Sequence, residues 1–457
     1  MATAIITDLL KNQFVDTLAT EFADSASNLY YIAIGYSEQF DSADDTPALQ
    51  NSEREMRQFR YRMQSMKSVL DASLVIPRYN WSSGTIYAAY NDNSVSQTSR
   101  YYVINENNNV YVCIKQGKDT NGNAVTSTDQ PTGDSATALY TGSDGYKWKY
   151  LYTISAAKST RFLTANFMPV QFINDSAGAA SLSATQAAQA SVQDNAADGQ
   201  IVGYRVTAAG SGYTSVPSIT ITGNGKGAQA KAIVTSSNTI GAIEIDDSAG
   251  GIGFGSGYDY ANVTISGGGG ANATAVPIFA PVGGIGADAT RTLRARAINF
   301  NVLFDGAEND FFVIDNDFRQ LALIKNPLQY DSTGSFTASA GRALKKMFVD
   351  DSTADFQTDQ TLTGTTSTGQ ALIDIFDNTA GHAPFIYYHQ TETTGFTPFQ
   401  DAEEISTSSA TANIVDSATI APDVDPFSGD ILYLDNRNTA VFRSNDQTED
   451  VKIIIQL

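Results

Sequence analysis

The sequence predicts a mainly β protein: a β-sandwich-type scaffold with two N-terminal helices and inserted Gly/Ser/Thr-rich β modules. Three observations carry that expectation. Glycine is abundant, at 36 residues, and aromatic residues make up 10% of the chain; short strands joined by tight turns suit that composition. Apolar residues at helical spacing are concentrated near the start. Beyond it, β-like runs alternate with Gly, Asn and Asp clusters, and two stretches recur as internal repeats.

The first helix is read in "TDLLKNQFVDTLATEF", with Thr7 or Asp8 as cap and Leu10, Phe14, Leu18 and Phe22 at i+4 steps. The second is read in "NSEREMRQFRYRMQSMKSVLDA", capped by Asn51 or Ser52, with a stripe of Met56, Phe59, Met63, Met66 and Leu70. Arg54, Arg57, Arg60, Arg62 and Lys67 make that segment locally basic. It is either a packed helix with a solvated charged face or a docking helix for an acidic partner chain.

"NLYYIAIGYS" reads as a strand and turn, and "RYYVINENNNVYVCIKQ" as a hairpin around Asn107–Asn109. Asn121-Gly122 marks a tight turn. The strand "SDGYKWKYLYTI" (Ser143 to Ile154) then places Tyr146, Trp148, Tyr150 and Tyr152 on one face and Lys147, Lys149 and Leu151 on the other. Such a ladder is a sheet core, a subunit seam or a stacking platform for a ligand. Residues 176–199 are rich in Ala, Ser and Gln and read as a short helix or a linker at a domain boundary.

An internal repeat follows. "GSGYTSVPSITITGNGKGAQA" starts at Gly210 and "GSGYDYANVTISGGGGANATA" at Gly255, so Tyr213 and Tyr258 align at a spacing of 45. Ile219-Thr220-Ile221 aligns with Val263-Thr264-Ile265 after a one-residue slip. Two small β modules, stacked or packed as a pair, are expected. A fainter duplication relates the segment from Phe356 to that from Phe399, consistent with two β-hairpins. The C-terminal stretch reads as two or three strands with an exposed acidic turn.

Charge and motif content exclude several function classes. The 28 basic and 49 acidic residues give a net charge of −21, which repels phosphate backbones, so no nucleic-acid partner is expected. The single cysteine, Cys113, excludes an intrachain disulfide and reads as a buried thiol, with a reactive one as the alternative. No long apolar run predicts a membrane-spanning helix, and "MATAIITDLLKNQF" does not read as a signal peptide. "GNGKGA" lacks the P-loop Ser/Thr, and "GGIGADATR" is a lone fragment of a calcium-roll repeat. Asp119, Asn121 and Asn123 have EF-hand-like spacing but lack its glycine and glutamate. His382 and His389 have no ligand set at zinc-site spacing. No cofactor, metal site or active site is expected, so the chain reads as a non-enzyme.

Three places resemble the baseplate wedge subunit of T4-type contractile-tailed phages, the gene eight product family. In "LDASLVIPRYNW", Ile76, Pro77, Arg78 and Trp81 match an apolar turn of that family. In "SDGYKWKYLYTI", Asp144, Gly145, Tyr146, Trp148, Tyr150 and Leu151 resemble its Asp-Gly-Tyr-x-Trp-x-Tyr-Leu. In "DFRQLALIKNPL", Phe318, Arg319, Asn326 and Pro327 resemble a third motif, and Asn436, Arg437, Asp446, Gln447, Thr448 and Glu449 resemble the family's C-terminus.

The resemblance divides the chain into wedge core (1–206, 291–328 and 427–457) and two insertions, 207–290 and 329–426. It implies a structural virion protein of the tail baseplate, assembled in the host cytoplasm. It further implies a homodimer embedded among other baseplate wedge proteins, taking part in the shape change that triggers sheath contraction. Host-surface contact falls to the inserted modules, and a tail-fibre-like adhesin binding glycans through the repeats is the alternative.

Overall fold

The structure, a computed structural model, describes residues 8–24, 28–40, 52–92, 99–173, 182–246, 253–351 and 353–456. It is mainly β, with five helices against twenty-seven strands among those residues. Two compact units are each assembled from segments distant in sequence. One comprises Met1–Thr17, Ser73–Asn299 and Ile455–Leu457, the other Leu18–Ala72 and Phe300–Ile454.

The chain begins with α1 (Asp8–Ala23), β1 (Tyr30–Gly35), α2 (Glu53–Tyr61), β2 (Met63–Ser68) and β3 (Asp71–Pro77). Thr7 and Asn51, two candidate caps, lie outside the described residues. The i+4 face expected for α1 packs only towards its end: Leu18 and Phe22 are half-buried, with Phe22 5.7 Å from both Tyr30 and Phe300, while Leu10 and Phe14 are 42% and 49% exposed and Val15, off that face, is buried. Ser52 caps α2 and forms a reciprocal capping box with Glu55. The second helix stops at Tyr61, short of its expected length. Met63 and Met66 lie instead on β2, which pairs with β1 on one side and is bordered on the other by a strand from residues 340–342. Two flanking strands satisfy the β2 backbone, overriding the helical spacing of its methionines. Leu70, the last residue of the expected stripe, is 77% exposed.

Next come β4 (Tyr102–Ile104), β5 (Asn109–Lys115), β6 (Tyr140–Thr141) and β7 (Lys147–Thr153), ordered β4-β5-β7-β6 in one antiparallel sheet. The expected hairpin turns at Asn108, whose φ of 59° is a left-handed conformation that Asn tolerates. Tyr111, Cys113, Tyr146, Trp148 and Tyr150 pack on one face of this sheet. Val110, Val112, Leu151 and Tyr152 pack on the other. The ladder is therefore one residue shorter than the alternation predicts. Tyr111 pairs with Tyr150 but Val110 with Tyr152, so Leu151 is the extra residue of a bulge and Tyr152 turns to the opposite face. After α3 (Ala156–Phe162) and β8 (Phe167–Pro169), α4 (Ala184–Asp194) occupies the Ala/Ser/Gln-rich stretch. It is a helix, with a capping box from Ser183 and Gln186, and it buries Val192 beside Trp148 and its neighbours.

The glycine-rich repeats form β9 (Ile201–Ser211), β10 (Ser218–Gly223), β11 (Lys226–Ala228), β12 (Ala230–Val234), β13 (Ile240–Ile245), β14 (Phe254–Ser256), β15 (Ala261–Ser266) and β16 (Ala271–Phe279). The two copies are interleaved rather than stacked. β10 pairs antiparallel with its own counterpart β15, Ile219 opposite Ile265 and Ile221 opposite Val263. Ser211 pairs with Ala271, and their equivalents 45 residues on and back, Ser256 and Lys226, also pair. The module thus has a local two-fold. Each repeat's tyrosine is seated on the other's glycine: a Cβ on Gly270 would fall 2.5 Å from Tyr213 Cγ, and one on Gly225 2.3 Å from Tyr258 Cγ. "GNGKGA" is therefore the cradle of Tyr258. The base of the module closes where Ile201 pairs with Phe279.

The remaining elements are α5 (Ala289–Leu293), β17 (Ala297–Asp305), β18 (Asn316–Lys325), β19 (Ala340–Arg342), β20 (Lys345–Val349), β21 (Thr361–Gly364), β22 (Gln370–Asp377), β23 (Phe385–His389), β24 (Glu404–Ser406), β25 (Thr411–Ile420), β26 (Asp430–Arg443) and β27 (Thr448–Gln456). In the second unit a five-stranded sheet runs β19-β2-β1-β18-β26, and β17 lies beside β27. Strands β20 to β25 close a six-stranded barrel ordered β20-β23-β22-β21-β24-β25. The fainter duplication supplies two of its hairpins, β21–β22 and β24–β25. Thr363 pairs with Ser406, its own counterpart in the second copy. Phe356 and Phe399, which open the copies, both pack on the barrel core.

Candidate functional site

The motif residues fall into two sets, one in each unit. In the first, Ile76 is buried on β3 opposite Met168, and Pro77 faces Phe167. Arg78 donates to Asn80 Oδ1 at 2.8 Å and to the Thr164 carbonyl at 3.0 Å. Trp81 Nε1 donates to Ser127 Oγ at 3.2 Å, and Ser127 donates on to Asp144 Oδ2 at 2.9 Å. The same Asp144 oxygen accepts from the amides of Thr128 and Asp129, while Oδ1 accepts from Tyr146. One carboxylate thus ties two motifs about sixty residues apart into one network. Ser127, fully buried, was not distinguished by any sequence signal. Gly145 has φ +82° and makes the turn into β7.

Tyr146 and Trp148 are fully buried and Tyr150 nearly so. Tyr146 and Trp148 stack at 5.9 Å, and Tyr87 meets Trp148 edge-on at 5.4 Å. The Tyr146 hydroxyl donates to the Val125 carbonyl at 2.7 Å. Cys113 is buried beside them, and burial pushes its thiol well above the ordinary range. These side chains are core, with no face left for a stacked ligand.

In the second unit, Phe318 is buried, and Arg319 reaches the Ser37 carbonyl and, at 2.6 Å, Asp317 Oδ1. Asn326, in a left-handed conformation, accepts the Leu29 amide at 2.7 Å, and the Pro327 carbonyl accepts from Phe336. Asn436 accepts from Gln320 Nε2, whereas Arg437 is exposed. Gln447 donates to the Phe442 carbonyl and Thr448 to Asp305, while Glu449 pairs with Arg443 at 3.1 Å.

A buried charge cluster, which sequence spacing did not reveal, lies in this unit where the barrel meets the five-stranded sheet. His389, on β23, turns Nδ1 to Asp374 Oδ2 at 2.7 Å and Nε2 to Glu38 Oε1 at 3.5 Å. Glu38 in turn accepts from Arg62 Nε at 3.1 Å. Asp374 is fully buried and His389 is 5% exposed. Leu372 pairs with His389 and Ile375 with Tyr387, so Asp374 sits in a bulge of β22 that aims it at the imidazole. Burial opposes charge on His389, but the two flanking carboxylates raise it to about 10. Burial likewise opposes charge on Glu38, but His389 and Arg62 bring it down to about 2. Asp374 is raised by burial, against the pull of His389.

The arrangement holds a proton rather than moving one. Both imidazole nitrogens face carboxylates, and the Ser37 hydroxyl is turned to Asp374 at 3.5 Å. That is not the geometry of an activated nucleophile. His382 is separate, exposed beside Asp377. Asp119 closes its own turn by accepting from the Asn121 and Asn123 amides, and Asp288 caps α5. Among the described residues no group of His, Cys, Asp or Glu side chains is placed to hold a metal ion, and no helix is long and apolar enough to cross a membrane.

No protein-family model matches the chain, and no curated protein matches it.

Proposed function

We propose that the chain is a structural component of the phage tail baseplate wedge, contributing to baseplate assembly and to the conformational change that triggers sheath contraction. One observation chiefly supports this reading: the residues that carry the wedge resemblance are spent on holding the scaffold. Trp81 and Asp144 join one network through Ser127, and Asn326 anchors Leu29. A part of this kind needs stable surfaces and bistable contacts with neighbours, not a catalytic pocket. Electron microscopy of the native particle tests it. Density for this chain is expected at the tail tip, and recovery of the chain as a free enzyme would sink the idea.

One feature favours the adhesin alternative. Tyr260, in the glycine-rich module, is 62% exposed beside an Asn224–Asp259 hydrogen bond, a pairing of aromatic ring and polar groups suited to a sugar face. A glycan array probed with the whole chain distinguishes the readings: binding that is lost on Tyr260→Ala favours the adhesin.

A further inference from the structure

A cavity of about 90 Å³ lies in the first unit, between the end of β5 and the base of the glycine-rich module. Ile114, Val202, Ile243 and Ile278 give it apolar walls, and Lys115, Lys118 and Glu244 are its charged residues. It has room for a few waters or one small anion, not for a nucleotide or a sugar chain. Tyr204 also lines it, but its hydroxyl is fully covered. Gln116, a further polar side chain of the wall, spends Nε2 on the Tyr87 carbonyl at 2.7 Å.

The charges do not cancel. Lys115 Nζ lies 2.8 Å from Glu244 Oε2, and the Glu244 side chain is 8% exposed. That pair leaves Lys118 over. Among the described residues no carboxylate forms an ion pair with the Lys118 ammonium, and Glu244 acts on it only from further away. Lys118 is half-buried. Burial opposes its charge, Glu244 favours it and Lys115 opposes it again. Two lysines and one glutamate leave the cavity a net charge of +1, in a chain whose net charge is −21. A desolvated ammonium without a partner is costly, and a bound anion offsets that cost. Apolar walls lower the local dielectric and strengthen the attraction.

We propose that this cavity binds a small oxyanion, a carboxylate or an inorganic phosphate, on the Lys118 ammonium. Lys118 precedes the Asp119–Asn123 turn, where Asn121 Oδ1 accepts the Ser236 amide of the module at 2.9 Å. An anion held at Lys118 therefore steadies a contact between the β5 sheet and the module. The inference goes beyond the proposed function and does not draw on it. Anion binding by the purified chain reads the cavity, whereas microscopy of the particle reads the role.

The test titrates the full chain with sodium acetate, phosphate or sulfate against sodium chloride at matched ionic strength. Melting temperature and hydrogen–deuterium exchange report binding, and the acetate and phosphate arms separate the two kinds of ligand. The expected result is a saturable rise in melting temperature with at least one oxyanion, and slowed exchange confined to 114–123 and 234–245. Lys118→Gln is expected to weaken binding by about tenfold or more, and Lys118→Arg to keep it. Glu244→Gln, which removes a repelling charge, is expected to tighten it; should that variant melt early, the two Lys118 variants decide. Three outcomes overturn the proposal: the oxyanions do no more than chloride or act without saturating, protection falls outside these segments, or Lys118→Gln binds as tightly as the parent chain.

Discussion

Asp374 and Glu38 flank the His389 ring and raise its pKa against burial, and its removal would leave both carboxylates without the imidazole. His389→Leu is therefore expected to lower unfolding free energy by about 3–5 kcal/mol, measured by denaturant titration. The pH dependence follows from the two shifts. His389 is raised from 6.5 to about 10, so its stabilisation is complete below 6.5 and is lost as pH rises through 10. Glu38 is lowered from 4.5 to about 2, so its stabilisation is complete above 4.5 and is lost as pH falls towards 2. The cluster should hold the barrel most firmly between pH 4.5 and 6.5, and the part of the decline that sets in above pH 6.5 through His389 should be absent from the leucine variant. Trp148, fully buried, is the corresponding residue of the first unit. Trp148→Ala should cost about 3–5 kcal/mol by denaturant titration; an unchanged melt would contradict its place in the core.

At the scale of elements, the interleaved module makes a sharper demand. Gly225→Ala and Gly270→Ala each drive a methyl group into a tyrosine ring, and each should destabilise the module by about 1–3 kcal/mol. Gly257→Ala, at φ +73° with open space around it, should cost only about 1 kcal/mol. Thermal melts of the three variants check the ranking. These elements also show what was legible beforehand. The repeats, the hairpin at Asn108 and the strand after Gly145 could be read because turn chemistry and alternation are local signals. β2 could not, because its methionines fit helical spacing and only the strands on either side override it. Tyr152 was misplaced by a bulge, which alternation cannot foresee. The charge cluster was illegible for another reason: Glu38, Asp374 and His389 meet only through folding, and Asp374 reaches the ring through a second bulge.

At the scale of the molecule, the resemblance placed an insertion at 207–290, while the paired strands of the module run from Ile201 to Phe279. Ile285, Ala289 and Leu293 pack into the core of the first unit. Replacing 204–277 by an Asn-Gly turn would join Gly203 to its pairing partner Ile278. The shortened chain is expected to keep a cooperative melt, and loss of that transition would show that the scaffold depends on the module. The crossed seating of Tyr213 and Tyr258 has a historical consequence. In each copy the glycine beneath the tyrosine's Cγ is supplied by the other copy, and β10 pairs only with its counterpart β15, so a single copy is half a structure. Duplication within one gene preserves such an exchange most simply if the ancestral copy already associated with itself. The present module then reads as an ancient homodimer made covalent. A lone repeat, expressed as a separate peptide, should be found as a symmetric pair by light scattering, or else unfolded, but never as a folded monomer.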